Sequence, residues 1–380
     1  MIRSMRIVAS KPSLGSYKTV RGIQTFDNLV SDINITRAGK TLLASGTGGR
    51  SSRTGYTATV FGASGFLGNY LTSRLANRGT ITVVPYREEM KKRHLKVQGD
   101  LGVVNFVEMD IRNVQSIEDS VKHSDIVFNL MGREYPTKNF SYDDVHVEGA
   151  RRVAEAVAKY NVSRLVHVSA FNADPNSTSE FNRTKGLGEL AVREVIPDAT
   201  IVRPSVMYGN GDKFLNKIAS ATRLFSANHN KETLRPVSVI DVAAALEKIG
   251  YDDSTVGKTY ELYGPKEYTM AQIHAMVQEA TQNKLLQVNL PKQVYQFIAQ
   301  LTQYIYWPTI SPDQVERMFI NQVVDENAAT FADLGIKPAQ LEDLVLKTVR
   351  HWRSYLHLHD TVETDAQRRK EREYIHVIDG

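Results

Sequence analysis

From residue 57 onward the chain repeats one pattern, in which short, continuously apolar runs alternate with longer segments whose apolar residues recur three or four positions apart. Residues 57–61, 80–84, 103–107, 125–130, 164–168 and 199–202 read as six strands. Behind the first, Leu67, Leu71 and Leu75 share one helix face. Between the fourth and fifth, Val147, Ala150, Ala154 and Val157 mark the buried side of another helix. Apolar strands alternating with helices predict a parallel sheet covered on both faces. Right-handed crossovers then make it doubly wound, so the predicted fold is α/β and Rossmann-type.

The flanks differ in character. Residues 27–55 are polar and glycine-rich, with Gly46, Gly48 and Gly49 ahead of Arg50-Ser51-Ser52-Arg53, and read as an extended segment crossing the surface. Residues 1–26 hold Arg3, Arg6, Lys11, Lys18 and Arg21, several serines, and no acid before Asp27. That is the composition of a mitochondrial presequence, a basic tail being the alternative. Beyond Phe214 the pattern loosens, with helices predicted over 241–250, 269–281 and 292–306. The expected division is a Rossmann-type domain over 56–235 and a smaller, mainly helical C-terminal lobe over 236–359 that shares elements with it. A charged tail follows over 360–380, with Arg368, Arg369, Lys370, Glu371, Arg372 and Glu373, solvated or ordered by a partner.

One helix of the lobe stands apart. Val294, Phe297, Ile298, Leu301 and Ile305 form an apolar stripe, ending near Tyr304, Tyr306 and Trp307, with Gln296, Gln300 and Gln303 opposite. The stripe predicts a core helix of the lobe. Its alternative is a surface that docks on another protein or on the edge of a bilayer.

Composition removes several function classes. With no cysteine there is no disulfide, thiolate metal site, iron–sulfur cluster or cysteine nucleophile. The ten histidines include no H-E-x-x-H pair, so no metal site is predicted. A net charge of +5 is mild and spread along the chain, without the aromatic-studded basic patch that reads nucleic acid. No run approaches the roughly 18 apolar residues of a transmembrane segment.

The chemistry lies in the turn after the first strand, Gly62-Ala63-Ser64-Gly65-Phe66-Leu67-Gly68. Gly62 suits a tight turn, Gly65 lets backbone amides approach a pyrophosphate, and Gly68 lets the helix pack close to the strand. The helix N-terminus favours the anion. The second strand ends in Pro85-Tyr86-Arg87, where an acidic residue would suit NAD. A guanidinium there suits the 2′-phosphate of NADP(H). Lys91 and Lys92 add to that field, and Glu88 and Glu89 oppose it.

These features, in order, resemble the extended, atypical short-chain dehydrogenase/reductase superfamily. Gly62-x-x-Gly65-x-x-Gly68 matches its cofactor fingerprint. Asp110-Ile111 resembles its adenine-contacting position, and Asn129-Leu130-Met131-Gly132 the loop beside the cofactor. Ser169 stands where members keep a carbonyl-polarising serine. Lys185, followed by Gly188 and Glu189, matches the end of the Tyr-x-x-x-Lys signature, and Arg203-Pro204 with Tyr208-Gly209 the turn after strand six. Four residues before Lys185 the family has its catalytic tyrosine; this chain has Phe181. The resemblance therefore implies a site that holds cofactor without the usual general acid, and no catalytic residue is assigned. Losing such a group removes about 10²–10⁴ in rate. His146 and His167 are the nearest substitutes in sequence, and each reads as a satisfied core or surface histidine.

Longer stretches narrow the resemblance. Gly49-Arg50-Ser51-Ser52, His94-Leu95 through Gly99-Asp100-Leu101-Gly102, and Asn129-Leu130-Met131-Gly132-Arg133-Glu134 with Thr137-Lys138-Asn139-Phe140 are similar to the NAD(P)H-binding accessory subunits of mitochondrial respiratory complex I. So is Ser311-Pro312-Asp313-Gln314-Val315-Glu316-Arg317-Met318. That resemblance implies a tightly bound, structural NADPH off the electron route. It also implies partners among the complex I subunits of the peripheral arm and its junction with the membrane arm, near the quinone-reducing region. The expected location is peripheral, on the matrix side of the mitochondrial inner membrane, with contact to the membrane surface. Two other readings stay open: a mitochondrial NADP-dependent carbonyl reductase or epimerase, and an NADP(H)-binding redox sensor.

Overall fold

Seven strands form one all-parallel sheet in a computed structural model of the chain. It describes residues 33–36, 39–46, 48, 49, 52–283, 286–305 and 311–353. The basic segment 1–26, the tail 360–380, and Tyr306 and Trp307 lie outside the described residues. In chain order the strands are β1 (Thr57–Phe61), β2 (Ile81–Tyr86), β3 (Val104–Glu108), β4 (Ile126–Asn129), β5 (Arg164–Val168), β6 (Thr200–Pro204) and β7 (Thr259–Leu262). Their order across the sheet is β7-β6-β5-β4-β1-β2-β3. The chain therefore reverses its direction of winding between β1 and β4.

Helices cover both faces, as strands buried on both sides require. On one face α1 (Phe66–Asn77) and α6 (Val239–Tyr251) pack over Val60, Val84, Phe128, Val166 and Val202. The Leu67, Leu71 and Leu75 stripe of α1 is buried there. The two helices are also tied by Glu247, which accepts from Arg74 Nε at 2.7 Å and Arg78 Nε at 2.8 Å. On the other face α2 (Val114–Val121), α3 (Gly149–Lys159) and α4 (Glu180–Val195) cover Phe61, Val127 and Leu165. Ala150, Ala154 and Val157 are buried in that layer with Val153, whereas Val147 is only half-buried.

The seventh strand was not legible in the sequence. Thr-Tyr-Glu-Leu breaks the apolar run with Glu261, but this carboxylate faces Arg203 on neighbouring β6, 3.5 Å away, and Arg203 in turn holds Glu189 of α4 at 2.7 Å. A buried acid is tolerated where such a partner is built in.

The smaller lobe gathers α5 (Leu215–Ser220), α7 (Met270–Thr281) and α10 (Leu341–Val349) around Leu215, Ile218, Ile273, Val277, Leu341 and Val345. A capping box of Thr269 and Gln272 opens α7. Beside it α8 (Lys292–Ile305) and α9 (Pro312–Arg317) meet through Tyr295, Ala299 and Val315. Here the core-helix expectation is corrected. Among the described side chains of α8, Tyr295 and Ala299 are buried, while Val294, Phe297, Ile298 and Leu301 are exposed, Phe297 by 66%; the side chain of Ile305 lies outside the described residues. The helix has two apolar faces, and periodicity alone does not say which is inward. In front of the sheet, Ile33–Ile35 and Thr41–Leu43 form a hairpin that buries Leu42 and links Lys40 to Asp125 at 2.9 Å.

Because α6 shares one core with β1 and β4, truncating it should unfold the whole sheet domain. Leu246→Ala is expected to cost about 2–5 kcal/mol in one cooperative urea transition. A separate early transition for residues beyond 235 would contradict this.

Candidate functional site

Where winding reverses, the carboxyl ends of β1 and β4 lie side by side, the switch point at which open parallel sheets form their ligand-binding crevice. The turn out of β1 shapes it. Gly62 has φ +79°, and an added Cβ would stand 3.0 Å from the Leu130 carbonyl oxygen. At Gly68 a Cβ would lie 2.4 Å from the Gly62 carbonyl oxygen, so helix and strand cannot approach this closely with any side chain there. Gly65 differs. Its φ of −79° is ordinary, and the only neighbour of an added Cβ is the Gly62 oxygen at 3.1 Å. The protein's own packing thus needs Gly68 far more than Gly65, leaving an open approach in front of residue 65. No side chain caps α1, so the amides of its first turn (Phe66, Leu67 and Gly68) lack a built-in side-chain acceptor. Ser64 and Gly65 are exposed beside them. This cradle fits a pyrophosphate.

The other residues singled out from the sequence follow the carboxyl ends of the strands, along the same edge of the sheet. Arg87, after β2, is about half exposed and lies 3.4 Å from Glu88. Lys91 also holds Glu88, at 2.9 Å, and keeps that carboxyl below its usual range. The adjacent wrong-sign charge is thereby engaged by two cations. Asp110, after β3, accepts the Arg112 amide at 2.8 Å. Ile111 packs on Gly149, where a Cβ would lie 2.3 Å from its Cδ1. Arg87 and Asp110 thus make local contacts, whereas the residues on the other side of the crevice converge. Gly132 lies against Lys185, whose Nζ is within 3.4 Å of the Val168 carbonyl and 3.5 Å of the Met131 carbonyl. Ser169 follows Val168, and its buried hydroxyl has no hydrogen-bond partner among the described residues. The Pro204 carbonyl accepts the Phe171 amide just beyond. Burial pushes the Lys185 ammonium down to about 8, partly countered by Glu189. A buried cation facing backbone carbonyls, beside an unsatisfied hydroxyl, suits ribose and carboxamide groups.

Around Phe181 the two nearby histidines are buried and engaged within the fold. His146 projects from a π-helical turn, Asp144–Glu148, that α4 presses closely; a Cβ on Gly188 would lie 2.3 Å from the His146 carbonyl oxygen. The Arg133 amide donates to His146 Nε2 at 3.1 Å. That fixes the ring proton on Nδ1, which donates to Thr184 Oγ1 at 2.9 Å, and this hydroxyl donates to the Phe181 carbonyl at 3.1 Å. Burial, with Lys185 nearby, drives the His146 pKa to about 2. His167, inside β5, takes the Asn129 amide on Nδ1 at 3.2 Å and is held neutral by burial, at about 3; its Nε2 has no partner among the described residues. Tyr142 donates its hydroxyl to the Glu134 carbonyl at 2.8 Å, and burial raises it to about 12.

The segment after α8 covers this cluster. Phe181 meets Tyr142 and His146 edge to face, at 6.1 and 5.3 Å between centroids, and the Arg317 guanidinium lies over its ring at 4.4 Å. Arg317 also donates to the Glu134 carbonyl at 3.3 Å. Asp313 anchors the segment on the start of α4, accepting from Ser179 Oγ at 2.9 Å and the Glu180 amide at 2.7 Å. Sequence reasoning singled out these residues as a motif but could not assign their place. The one local signal was Ser311-Pro312, an N-cap followed by proline at the first helical position.

Comparison with known proteins agrees with the fold. Residues 58–246 match the model of the NAD dependent epimerase/dehydratase family. Among solved structures, a nucleoside-diphosphate-sugar epimerase from Staphylococcus aureus superposes with a TM-score of 0.62 at 15% identity, covering 76% of this chain and 99% of that one. An NADPH-dependent quinone oxidoreductase from Escherichia coli, complexed with NADPH, gives 0.61 at 16% identity over 76% and 98%. At such identities the likeness speaks for the fold alone. Sequence relatives are much nearer. The mitochondrial NADH-ubiquinone oxidoreductase 40 kDa subunit of Neurospora crassa is 51% identical over 92% of this chain and 93% of its own length. The mitochondrial NADH dehydrogenase (ubiquinone) 1 alpha subcomplex subunit 9 of Rattus norvegicus is 38% identical over 84% and 86%. With matches of this extent on a Rossmann-type epimerase fold, the chain belongs to the family of the mitochondrial NADH-ubiquinone oxidoreductase 40 kDa subunits and alpha subcomplex subunit 9 proteins.

Proposed function

We propose that the chain is an accessory subunit of mitochondrial NADH:ubiquinone oxidoreductase that holds NADPH as a tightly bound structural group and catalyses no reaction of its own. The observation that carries the non-catalytic part is Phe181 beneath the Arg317 guanidinium. The position of the family's acid/base has no ionisable proton, and the face it would offer a substrate carries a cation pinned by Asp313. The neighbouring histidines are buried and neutral, so neither supplies the missing proton at neutral pH. The family relationship supports the assembly role.

In this reading Gly62, Ser64, Gly65, Phe66, Leu67 and Gly68 receive the pyrophosphate. Arg87 pairs with the 2′-phosphate, which favours NADP(H) over NAD. Asp110 and Ile111 flank the adenine, and Leu130, Gly132, Ser169, Lys185 and Pro204 line the nicotinamide half. When bound, the nucleotide would be capable of hydride transfer; the residues around it bind and orient but move no proton. Partners are the subunits of the peripheral arm and its junction with the membrane arm, near the quinone-reducing region. The subunit lies peripherally on the matrix side of the inner membrane, where the exposed face of α8 adds apolar contact area. Among the described residues no helix is long and apolar enough to cross a membrane.

Restoring the hydroxyl should not restore turnover. Phe181→Tyr is expected to show no NADPH oxidation above background with a panel of aldehydes, ketones and quinones, because Arg317 still covers the ring. Steady turnover by the unaltered chain would overturn the reading. Gly65→Val separates binding from folding. It should melt within about 1 kcal/mol of the parent without nucleotide, yet lose at least tenfold in NADPH affinity (about 1.4 kcal/mol) by titration calorimetry.

Lys185 links binding to stability. With a pKa of about 8 folded and 10.5 as the ordinary value, both states are protonated below pH 8, and the folded chain then bears the full cost of the buried cation. Between about 8 and 10.5 the unfolded chain binds more protons, so this group makes stability rise with pH. Lys185→Met should stabilise the nucleotide-free protein at pH 7 by on the order of 2–3 kcal/mol and flatten that rise. It should also shrink the increase in Tm on adding NADPH. A variant less stable without nucleotide would contradict the assignment.

A further inference from the structure

The sheet face opposite α1 and α6 carries a second concave surface, outside the crevice. Where α3 and the turn before it run along α4, they leave a groove of about 580 Å³ lined by Val147, Leu187, Leu190 and Ala191, with Asp143, Glu148, Arg151 and Glu194 around them. Leu187 and Leu190 are 36% and 56% exposed, although Lys185, Gly188, Glu189 and Val192 of the same helix are buried. Leu187, Leu190 and Glu194 therefore form a solvent-facing stripe at helical spacing on α4, opposed by Asp143, Val147, Glu148 and Arg151. The rim holds three carboxylates and one guanidinium. Arg151 is already engaged with Glu194, 3.3 Å away, and among the described residues Asp143 and Glu148 have no ion-pair partner, so the rim there is net negative. In a chain whose net charge is +5, this is an acidic, apolar-floored site on a basic protein.

We infer that this groove docks an amphipathic helix from a neighbouring subunit, its apolar side on Leu187 and Leu190 and its lysines or arginines on Asp143, Glu148 and Glu194. The inference rests on the reading of the chain as an assembly subunit, and not on the nucleotide. A furrow between two packed helices accepts a third by ridges into grooves, and recognition of this kind uses apolar anchors at i, i+3 or i+4, and i+7. The charge decides the occupant. Anionic lipid headgroups and nucleic acid phosphates are repelled by the rim. A second copy of the chain across a two-fold axis would set the same carboxylates against each other. A basic partner gains both the buried leucine area and the electrostatic attraction.

The test uses the full chain and a fluorescein-labelled synthetic helix with leucine on one face and lysine on the other, compared with a leucine–glutamate counterpart. By fluorescence anisotropy at low salt, the lysine peptide should bind and the glutamate peptide should not. Leu190→Glu, at an exposed position that leaves the core untouched, should weaken binding by about 10- to 100-fold, the value of one buried leucine. Glu148→Lys should weaken it by about threefold and reduce its salt dependence. Phe297→Glu, on the exposed face of α8, should leave it unchanged. Equal binding of both peptides, indifference to Leu190→Glu, or self-association of the chain that Leu190→Glu abolishes would each overturn the inference. Because the isolated chain is assayed, those failures are distinct from failure to join a large assembly.

Discussion

Between the end of β1 and the start of α1 the backbone closes on itself so tightly that one carbon added at residue 68 would lie 2.4 Å from the oxygen of residue 62. Much of the site follows from that approach. It seats α1 against the sheet, where Leu67, Leu71 and Leu75 enter the core under α6. It sets the N-terminus of α1 over the crevice between β1 and β4, without a side-chain cap. And it brings Gly62 beside the Leu130 carbonyl, so that the loops after β1 and β4 form one wall. A helix dipole, free amides and an open approach at Gly65 make an anion cradle that the fold maintains whether or not chemistry takes place there.

Across the crevice, in the proposed reading, the sequence keeps residues suited to hold a nucleotide, while Phe181 stands where a general acid would be needed to use it. Lys185 stays buried beside backbone carbonyls despite the cost of desolvating its charge. Such a cost is usually retained where a ligand offsets it. Phe181, one helical turn earlier, has become part of an aromatic cluster with Tyr142 and His146, and α9 is fastened over it by Asp313 and Arg317. The same short helix ties into α8, since Glu316 accepts from Lys292 at 2.8 Å and Val315 packs with Tyr295 and Ala299. The wall of the proposed nucleotide site and the exposed apolar helix are thus two sides of one packed unit.

Much of this was legible in the residues, for physical reasons. Strands buried on both faces, such as β1 and β5, announce themselves as apolar runs, and the glycine turn is fixed by local geometry that few other residues satisfy. The substitution at Phe181 was visible once Lys185 gave the register. What stayed hidden depended on contacts distant in sequence. Glu261 breaks the pattern of β7 because its partner, Arg203, lies on another strand. The seal over Phe181 joins residues more than a hundred positions apart, and nothing local in Asp313 or Arg317 says where they dock. On α8 the apolar stripe was recognised but its direction was not, since Tyr295 and Ala299 supply a second apolar face that packs better against Val315.

The central claim, a structural NADPH held within a respiratory assembly, is tested most directly on the native protein. The assembly is purified gently, its mass recorded, and the nucleotide released by denaturation is identified and counted against this chain. Near-stoichiometric NADPH from a very large membrane-associated complex is the predicted result. A small free protein with substoichiometric or freely exchanging nucleotide would contradict it.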